Sequence, residues 1–596
     1  MDVAERLSQL RIAMQEVGIN WYLMITIDPH ASEYISDYYK EREYFSGFTG
    51  SNGTLLIGMS ECFLWTDGRY FVQAKNELEG TGIKLMKSMV FGVPDIAQYL
   101  EQHFQEGDIF GVNGALVSAE YGLKLERICE KCGVTLNDHP NIIDRIWKNR
   151  PGDSAEPATI LPLSLAGQAV EDKIASIRKQ MKKNETDCFV LSKLDDQMWL
   201  FNLRGNDIVC NPVAYSYTIV TMNEVCLYLK AKAVTEDVKA FALAHQIQLK
   251  EYENFYVELE QKKLGARIWI DQNNSNYRTL RILKGKGEIY DAPNPTAIGK
   301  AIKNECEIEN LKEIYRLDSV ELTKFLMWME KVGIPNGISE VDAAKNLDHR
   351  RSTIPQYRDL SFPTISAFGA NAAMMHYEAT SKNHLNIKGN GIYLVDSGGQ
   401  YDGGTTDVTR SVLCGEVNDT IKEHFTRTVM GMLRLQNAVF LKGCTGRNLD
   451  ILAREPLWKI LIDYKCGTGH GIGYMLNVHE DPQNISWHNR NGRLETPMEE
   501  GMLVSDEPGV YVEGSHGIRI ENILLCVKKG ESADGEFLAF VPLTYVPIDR
   551  KGIRPELMQP EDLLALNQYH QQVYDKISSS FQGSELEWLK NATAPI

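Results

Sequence analysis

The chain has 596 residues and a formal net charge of −17, with 63 Lys or Arg against 80 Asp or Glu. At roughly 100–200 residues per domain this length predicts three or four domains, and the acidic balance argues against a general nucleic-acid binder, whose affinity comes mainly from Lys and Arg on phosphates. No run of 18 apolar residues occurs and the amino terminus has no apolar signal core, so we expect a cytoplasmic protein without a membrane span, its eleven scattered cysteines reduced.

The first half of the chain contains a weak internal duplication. Each copy reads as an amphipathic helix, an apolar strand, and two further strands joined by a turn. The segments are residues 6–14, 21–25, 54–57 and 63–65 in the first copy, and residues 173–181, 188–191, 217–221 and 225–229 in the second. Helices that alternate with strands in this way predict two α/β domains with mixed sheets.

Two stretches rich in Pro, Gly and small polar residues, 148–163 and 291–301, mark domain boundaries. Beyond the second, residues 305–331 carry apolar side chains at helical spacing and predict a long helix. From residue 537 an extension reads as Pro-punctuated strands, a helix over 560–578 and a short final helix around Trp588. We therefore expect three domains, at residues 1–155, 156–302 and 303–596, with the extension 537–596 inside the third.

Acidic residues within apolar, strand-like runs are the informative feature of the third domain. Asp396 ends one such run, and Asp407 follows eleven residues later in a similar context. Glu507 ends another apolar stretch, Glu521 lies in an alternating strand, and His470 stands among glycines that allow close approach of a ligand. A buried carboxylate without a partner is costly, so each of these acids needs a cation or strong donors.

The partners of these acids could be arginines or metal ions. Arg410 and Arg519 are available, but two guanidinium groups cannot neutralise four carboxylates, whereas two divalent cations can. Four carboxylates and one imidazole suit hard or borderline ions, Mn²⁺ more than Cu²⁺, and carboxylates can bridge two ions about 3.5–4 Å apart. The chain has no complete GxGxxG, GxSxG or HExxH motif, so the sequence does not predict a dinucleotide-binding protein, a serine hydrolase or a zincin-type metalloprotease.

The order of these five residues resembles that of the metal ligands in the pita-bread metallopeptidases, family M24, which include methionine aminopeptidase, prolidase, creatinase and aminopeptidase P. Along its whole length the chain is similar to the three-domain, cytosolic Xaa-Pro aminopeptidases of that family. The likeness extends to residues 65–70 (WTDGRY), to residues 371–380 around His376 (NAAMMHYEAT), and to residues 587–589 (EWL). It implies an α/β (α+β) fold, with two N-terminal creatinase-like domains followed by a catalytic pita-bread domain and its C-terminal extension.

The resemblance also implies a role for each member of the constellation. One metal ion would be chelated by Asp396, and the other held by His470 and Glu507. Asp407 and Glu521 would bridge the two ions, with a hydroxide between them as the nucleophile. Glu507 would in addition be the catalytic general base.

Three further residues are expected, by the same resemblance, to contact the substrate. His376 and His479 correspond to histidines that bind the peptide and stabilise the tetrahedral intermediate, and both are expected to be catalytic. Arg69 follows Asp67 and Gly68, so it either reaches towards the C-terminal side of the peptide or stabilises that turn.

The implied activity is that of a metal-dependent aminopeptidase that hydrolyses the bond between any N-terminal residue and a following proline. The implied cofactors are two divalent ions, Mn²⁺ first, with Zn²⁺ or Co²⁺ as alternatives. The implied partners are peptides with proline in the second position and a second copy of the chain in a homodimer, without nucleic acid or membrane. Two alternatives stay open: a prolidase, which cleaves only Xaa-Pro dipeptides, and a non-catalytic binding protein of the same fold. The duplicated first half and the extension favour the aminopeptidase over the prolidase.

One position departs from the family pattern. Many relatives carry His four residues before the metal-binding His, where this chain has Cys466 before His470. A thiol can replace the bulk of an imidazole but not its donor strength or basicity. Proton transfer around the site is therefore in question, and a thiol so placed could favour a softer metal such as Zn²⁺.

Overall fold

The computed structural model of the protein describes residues 1–153, 155–488 and 495–596. The chain divides into two compact units. The first consists of Met1–Leu161 and Gln168–Thr296, and the second of Pro162–Gly167 and Ala297–Ile596. Across the described ranges, no helix combines the length and the apolar character needed to cross a membrane.

The first unit contains two six-stranded sheets with the same strand order and the same strand directions. In each, the first strand along the chain pairs antiparallel with the second, the second antiparallel with the third, and the third parallel with the fourth. On its other side the first strand pairs parallel with the fifth, and the fifth parallel with the sixth. In spatial order the strands are Lys84–Lys87, Cys62–Thr66, Thr54–Gly58, Trp21–Ile25, Ile109–Val112 and Thr135–Asn137 in one sheet, and Gln248–Glu251, Val225–Leu229, Ser216–Thr221, Cys188–Leu191, Arg267–Ile270 and Glu288–Asp291 in the other. This shared topology confirms the predicted duplication.

Amphipathic helices cover these sheets. Val3–Glu16 begins with a capping box between Asp2 and Glu5, and it buries Leu7 and Leu10 at helical spacing against the sheet. The other described helices of six or more residues in this part of the chain are Glu41–Ser46, Phe71–Glu77, Ile96–His103, Ala119–Cys132, Val170–Lys183, Leu194–Leu200, Glu236–Ala244, Phe255–Gln261, Tyr277–Lys284 and Pro295–Ala301.

The second unit begins with the long helix that the sequence predicts. It runs over Glu305–Trp328, and Asn304 and Glu307 form the capping box at its start. The expected end at residue 331 falls inside a π-helical turn, Met329–Gly333, which continues the helix directly. The remaining long helices of this unit are Glu340–Arg351, Asp419–Gln436, Gly446–Trp458, Pro560–Ile577 and Gly583–Ala592.

The strands of the second unit form several small sheets around the candidate site. The largest has six strands, in the spatial order Val439–Leu441, Gly535–Pro542, Asn522–Ser532, Leu503–Asp506, Gly469–Gly471 and Glu480–Ile485. Two sheets have three strands each: Ile365–Phe368, Gly391–Ser397 and Val408–Cys414; and Tyr357–Leu360, Gly399–Tyr401 and Gly404–Thr405. A hairpin joins Gly509–Val512 to His516–Arg519.

The C-terminal extension has both predicted helices, which pack on the core of the second unit. Leu566 and Val573 from Pro560–Ile577 lie in one apolar cluster with Phe425 and Val429. The expectation of several Pro-punctuated strands was wrong after the first. Residues 543–549 form no strand, because proline lacks the N–H that a sheet ladder requires and Pro547 interrupts this segment.

Candidate metal centre

The first two acids are brought together by one pair of antiparallel strands. Asp396 lies directly opposite Thr409 in the pairing of Gly391–Ser397 with Val408–Cys414. Residues opposite each other share a face of the sheet, and so do residues two apart on one strand. Asp407 directly precedes this second strand, two residues before Thr409, and lies close enough to Asp396 for their charges to interact. Both side chains are buried.

The other two acids lie at the end of a second strand pair. Asp506 lies opposite Asn522, so Glu507 and Glu521, the residues next to them, meet at the same edge. The prediction that Glu521 lies within a continuous strand was wrong. It falls between His516–Arg519 and Asn522–Ser532, where the chain passes from one sheet to another. There the backbone N–H of Glu521 donates to the carbonyl of Thr409 at 3.1 Å, which ties the two strand pairs together.

His470 is held close to Glu507 by its glycine neighbours and by a serine. A Cβ on Gly469 would lie 1.8 Å from the carbonyl oxygen of Ser505, so only glycine allows this approach. The hydroxyl of Ser505 accepts from the N–H of His470 at 2.9 Å and lies 3.0 Å from Oε1 of Glu507. His470 Nε2 is then 3.3 Å from Glu507 Oε1 and 3.5 Å from Asp407 Oδ2.

The grouped side chains have the chemistry of a divalent-metal site. Ligand atoms of Asp407, His470 and Glu521 all lie within 4.8 Å of one another, the one such group of three or more His, Cys, Asp or Glu in the described ranges. Oδ1 of Asp396 and Oε1 of Glu521 are buried without a hydrogen-bond partner. Buried carboxylate oxygens of this kind are stabilised by a cation or by protonation, and this donor set fits hard divalent ions.

The pKa values of the site acids reflect this crowding. Burial, then the charges of Glu521, Asp396 and Glu507, raise the pKa of Asp407 well above its usual value. Burial and the same neighbouring acids likewise raise the pKa of Glu521. Burial alone would raise the pKa of Glu507, but contact with His470 and the charge of Arg519 hold it below its usual value. At neutral pH Glu507 is therefore ionised.

Of the two arginines considered as partners, only Arg519 contacts a site carboxylate. Its guanidinium pairs with Asp396 and also donates to Tyr511 Oη at 2.8 Å and to Thr409 Oγ1 at 3.1 Å. Arg410 instead donates to backbone carbonyls, including those of Thr409 and Val546. One arginine cannot balance four acids.

Sequence reasoning missed a fifth buried acid. Asp506 has no exposed surface, and burial followed by the charges of Glu521 and Glu507 raises its pKa well above the usual value. The signal was available, since Asp506 stands beside Glu507 in the same apolar run. Its raised pKa favours the protonated form over a further charge at the site.

The structure brings one of the two predicted substrate histidines against the constellation. The ring of His479 lies edge-on to that of His470, with centroids 4.3 Å apart. His376 is half-buried in the turn that follows the segment Gly369–Ala373. That segment packs on His516–Arg519, where a Cβ on Gly517 would lie 1.7 Å from the carbonyl oxygen of Ala372.

Arg69 lies in the first unit and forms a bidentate pair with Asp67, at 2.9 Å from Nε and 2.8 Å from Nη2. Burial raises the pKa of Asp67, but the bonds from Arg69 outweigh it and lower that pKa to about 2. The guanidinium thus stabilises the turn after Cys62–Thr66, which was one of the two expected roles, and its contact with substrate stays a prediction.

Cys466 packs beside Tyr511 and Val512 at the edge of a small apolar cluster. Its carbonyl accepts from Arg454 Nη2 at 2.7 Å. The described group of candidate ligand atoms does not include its sulfur. The thiol therefore borders the site through Tyr511, which bonds Arg519.

Family models match successive parts of the chain. The creatinase/prolidase N-terminal domain matches residues 6–146 and again residues 149–307. Metallopeptidase family M24 matches residues 309–528, and the C-terminal region of peptidase M24 matches residues 536–596. With the two sheets of equal topology, these matches confirm the predicted fold: two creatinase-like α/β domains followed by a pita-bread domain with an extension.

Two curated relatives align along the whole chain. A protein of Paracoccidioides brasiliensis (strain Pb03), described as a probable Xaa-Pro aminopeptidase P, is 37% identical over 619 residues, with 100% of both chains covered. A probable Xaa-Pro aminopeptidase P of Aspergillus flavus is 36% identical, with 100% of this chain and 93% of that protein covered.

Solved structures show the same likeness. An X-prolyl aminopeptidase from Caenorhabditis elegans, described as a cytosolic enzyme with a di-nuclear active site, has a TM-score of 0.94 and 32% identity, with 100% of both chains covered. A Xaa-Pro dipeptidase from Bacillus anthracis has a TM-score of 0.51 and 24% identity, covering 64% of this chain and 99% of that one, which is a likeness of fold alone.

Proposed function

This chain belongs to metallopeptidase family M24, among the Xaa-Pro aminopeptidases P, and on that premise we propose that it removes any N-terminal residue that precedes a proline in a peptide. The observation that carries the proposal is the grouping of Asp407, His470 and Glu521 within 4.8 Å, with Glu507 in contact with His470. The full-length relatives at 36–37% identity support the same activity.

Two divalent ions are the proposed cofactors, and their protein ligands are the five residues of the constellation. Asp396 would chelate one ion, His470 and Glu507 would hold the other, and Asp407 and Glu521 would bridge them. Support comes from the unpartnered buried oxygens of Asp396 and Glu521 and from the di-nuclear site of the C. elegans relative. When bound, the ions would supply a hydroxide between them at neutral pH and polarise the scissile carbonyl. Mn²⁺ is the proposed metal, because the donors are carboxylates and one imidazole.

The chain's own residues supply proton transfer and orientation. Glu507 is ionised at neutral pH, because His470 and Arg519 hold its pKa low, and its carboxylate can accept a proton as general base and pass it towards the leaving nitrogen. His479 lies against His470 and is proposed to donate a hydrogen bond to the developing oxyanion, and His376 is proposed to act with it.

The proposed substrate explains why this chemistry is needed. An Xaa-Pro bond is a tertiary amide without an N–H, so a protease that grips an extended backbone by that group has nothing to bind. An exopeptidase must also recognise the free α-amino group of its substrate. The oxygens of the four acids Asp396, Asp407, Glu507 and Glu521 can accept hydrogen bonds from this amine.

The substrate length distinguishes this proposal from a prolidase. We expect release of free Arg from a pentapeptide that begins Arg-Pro-Pro, in the presence of Mn²⁺, at a rate equal to or above that for the dipeptide Arg-Pro. Hydrolysis of the dipeptide alone would establish the prolidase reading. If neither peptide is cleaved by protein that calorimetry shows to hold metal, the chain is a binding protein of this fold and the proposal is lost.

Three further properties belong to the same proposal. We propose a homodimer, which light scattering can test, and a cytoplasmic location, supported by the C. elegans relative's description as a cytosolic enzyme. We also propose domain boundaries at residues 1–155, 156–302 and 303–596, supported by the ends of the family matches at 146, 307 and 596.

A further inference from the structure

A fully buried carboxylate outside the metal centre has no part in the chemistry described so far. Glu340 is the first residue of the helix Glu340–Arg351, with an exposed fraction of 0%. Within the part of the chain that the structure describes it forms no ion pair. Its two oxygens accept hydrogen bonds only from uncharged N–H and O–H groups, and all of these groups come from residues 368–385.

The carboxylate of Glu340 binds both ends of this segment. The backbone N–H of Phe368 donates to Oε1 at 2.6 Å, at the point where the strand Ile365–Phe368 ends. The backbone N–H of Leu385 donates to Oε2 at 2.7 Å. The N–H of Glu340 in turn donates to the carbonyl of Leu385 at 3.0 Å. One side chain therefore closes the segment at its base.

The same carboxylate also binds the middle of the segment. Tyr377 donates from its hydroxyl to Oε2 at 2.9 Å, and Asn371 donates from Nδ2 to Oε1 at 3.2 Å and to Oε2 at 3.1 Å. Asn371 Nδ2 also lies 2.9 Å from the hydroxyl of Tyr377. Hydrogen bonds to an ionised acceptor are about twice as strong as neutral ones, and a buried carboxylate that lost these donors would be left without compensation.

His376 stands between two points anchored in this way. Tyr377, the next residue, is 5% exposed and packs with Ala372 and Leu394. On the other side, the turn that contains Asn371 and Ala372 rests against Gly517 of His516–Arg519, the strand that ends two residues before Glu521. The position of the His376 backbone is therefore set by Glu340 on both sides.

We propose that Glu340 is a positioning residue for hydrolysis, which acts by fixing the segment 368–385 and with it the backbone that carries His376. The inference rests on the proposed function, because it needs His376 to contact the substrate. Glu340 itself touches no reacting atom. Displacement of a catalytic group by about 1 Å can cost on the order of 100-fold in rate, so an anchor of this kind has a large kinetic effect without binding substrate or metal.

A double-mutant cycle tests this role. Glu340→Gln keeps the shape but loses the charge and one acceptor, and we expect kcat/KM to fall about 10- to 100-fold while the Kd for Mn²⁺ changes less than about twofold. We expect the double variant with His376→Ala to be no slower than His376→Ala alone, because residues that act as a unit are not additive. Tyr377→Phe removes the hydrogen bond from the Tyr377 hydroxyl to Glu340 and disturbs folding less than Glu340→Gln. It should lower kcat/KM about fivefold, and this loss should likewise not add to that of His376→Ala.

Asp348→Asn is the matched control. Asp348 lies on the same helix and accepts from Thr364 Oγ1 at 2.6 Å, but it does not contact residues 368–385 in the described hydrogen bonds. Its effect, if any, should add to that of His376→Ala. Losses from Glu340→Gln and His376→Ala that multiply, or an unchanged rate in Glu340→Gln and Tyr377→Phe, would overturn the positioning role. Wild-type protein with bound Mn²⁺ that fails to cleave Xaa-Pro peptides would instead refute the proposed function.

Discussion

Replacing Asp407 by Asn should stabilise the metal-free protein and weaken its stabilisation by metal. Asp407 is buried beside Glu521, Asp396 and Glu507, and burial and these charges raise its pKa. Two unit charges at 4.8 Å, the limit within which the candidate ligand atoms lie, repel by about 3.5 kcal/mol at an effective dielectric constant near 20. Proton uptake relieves part of this repulsion. We therefore expect Asp407→Asn to raise the stability of the metal-free protein at pH 8 by about 1–3 kcal/mol.

The pH dependence of this effect has a definite sign. A carboxyl group whose native pKa is raised binds more protons in the native state than in the unfolded state. Metal-free wild-type protein should therefore lose stability as the pH rises above about 3.9, the unfolded value for Asp, up to the raised native pKa. Asp407→Asn removes this loss.

Added metal should stabilise the wild-type protein more than Asp407→Asn. A ligand at 100 times its Kd stabilises the native state by about 2.7 kcal/mol. Because Asp407 is a proposed bridging ligand, we expect most of that increment to disappear in Asp407→Asn. Calorimetric melting with chelator and with Mn²⁺ measures both effects, at about 2 °C in Tm for each kcal/mol in a unit of this size.

Asp562→Asn is the control for this experiment. Asp562 is buried in the same unit but pairs with Arg434, outside the metal centre. Its loss should lower both Tm values and leave the metal increment unchanged. If Asp407→Asn destabilises the metal-free protein, or keeps the full Mn²⁺ increment, the account of the four acids as a metal site is refuted.

Three other predictions concern single sites. Cys466→Ala and Cys466→His should keep the wild-type preference between Mn²⁺ and Zn²⁺, since the sulfur is outside the described ligand group. The preference is measured as activity with each ion restored, and a change in it would show that the thiol is a metal ligand. His30 is fully buried, and burial lowers its pKa to about 3. Below pH 6.5 the native protein therefore binds fewer protons than the unfolded protein, and its stability falls as the pH drops. Between pH 7 and pH 5, urea unfolding should show His30→Gln losing about 2 kcal/mol less stability than wild type, and an identical loss in both proteins would contradict this. Lys303→Met removes the nearer of the two lysines that pair with the buried Glu480 in the described ion pairs, the other being Lys300 at 3.9 Å. It should cost roughly 3 kcal/mol of stability, part of which the double variant Lys303→Met with Glu480→Gln should recover. A fully stable single variant would show that the pair does not contribute to stability.

The fold could be predicted to the extent that it follows from local patterns. The helix and strand periods in the first half reappear as two sheets of one topology, because alternation and helical spacing act over a few residues. The four acids of the constellation could be predicted because a carboxylate in an apolar run is expensive wherever that run folds, and His470 because it stands among glycines. Asp506 satisfied the same criterion and was overlooked.

What could not be predicted depends on partners distant in the sequence. Asp396 pairs with Arg519, 123 residues away, and nothing near either residue indicates the other. Glu340 follows Ser339, a helix N-cap, so it reads as an ordinary acid of the first helical turn. Its partners lie 28 to 45 residues later. The interruption of the strand at Glu521 had the same cause. The segments on either side of it pair with different sheets, and those pairings involve residues distant in the sequence.

The most direct test of the account is hydrolysis by protein freed of metal and then titrated with Mn²⁺. Chelator-treated protein should release no Arg from a peptide that begins Arg-Pro-Pro. Activity should return as Mn²⁺ is added and reach its maximum at two bound ions per chain. Full activity in the metal-free protein, or no activity when two ions are bound, would contradict the assignment of these residues to a two-metal Xaa-Pro aminopeptidase.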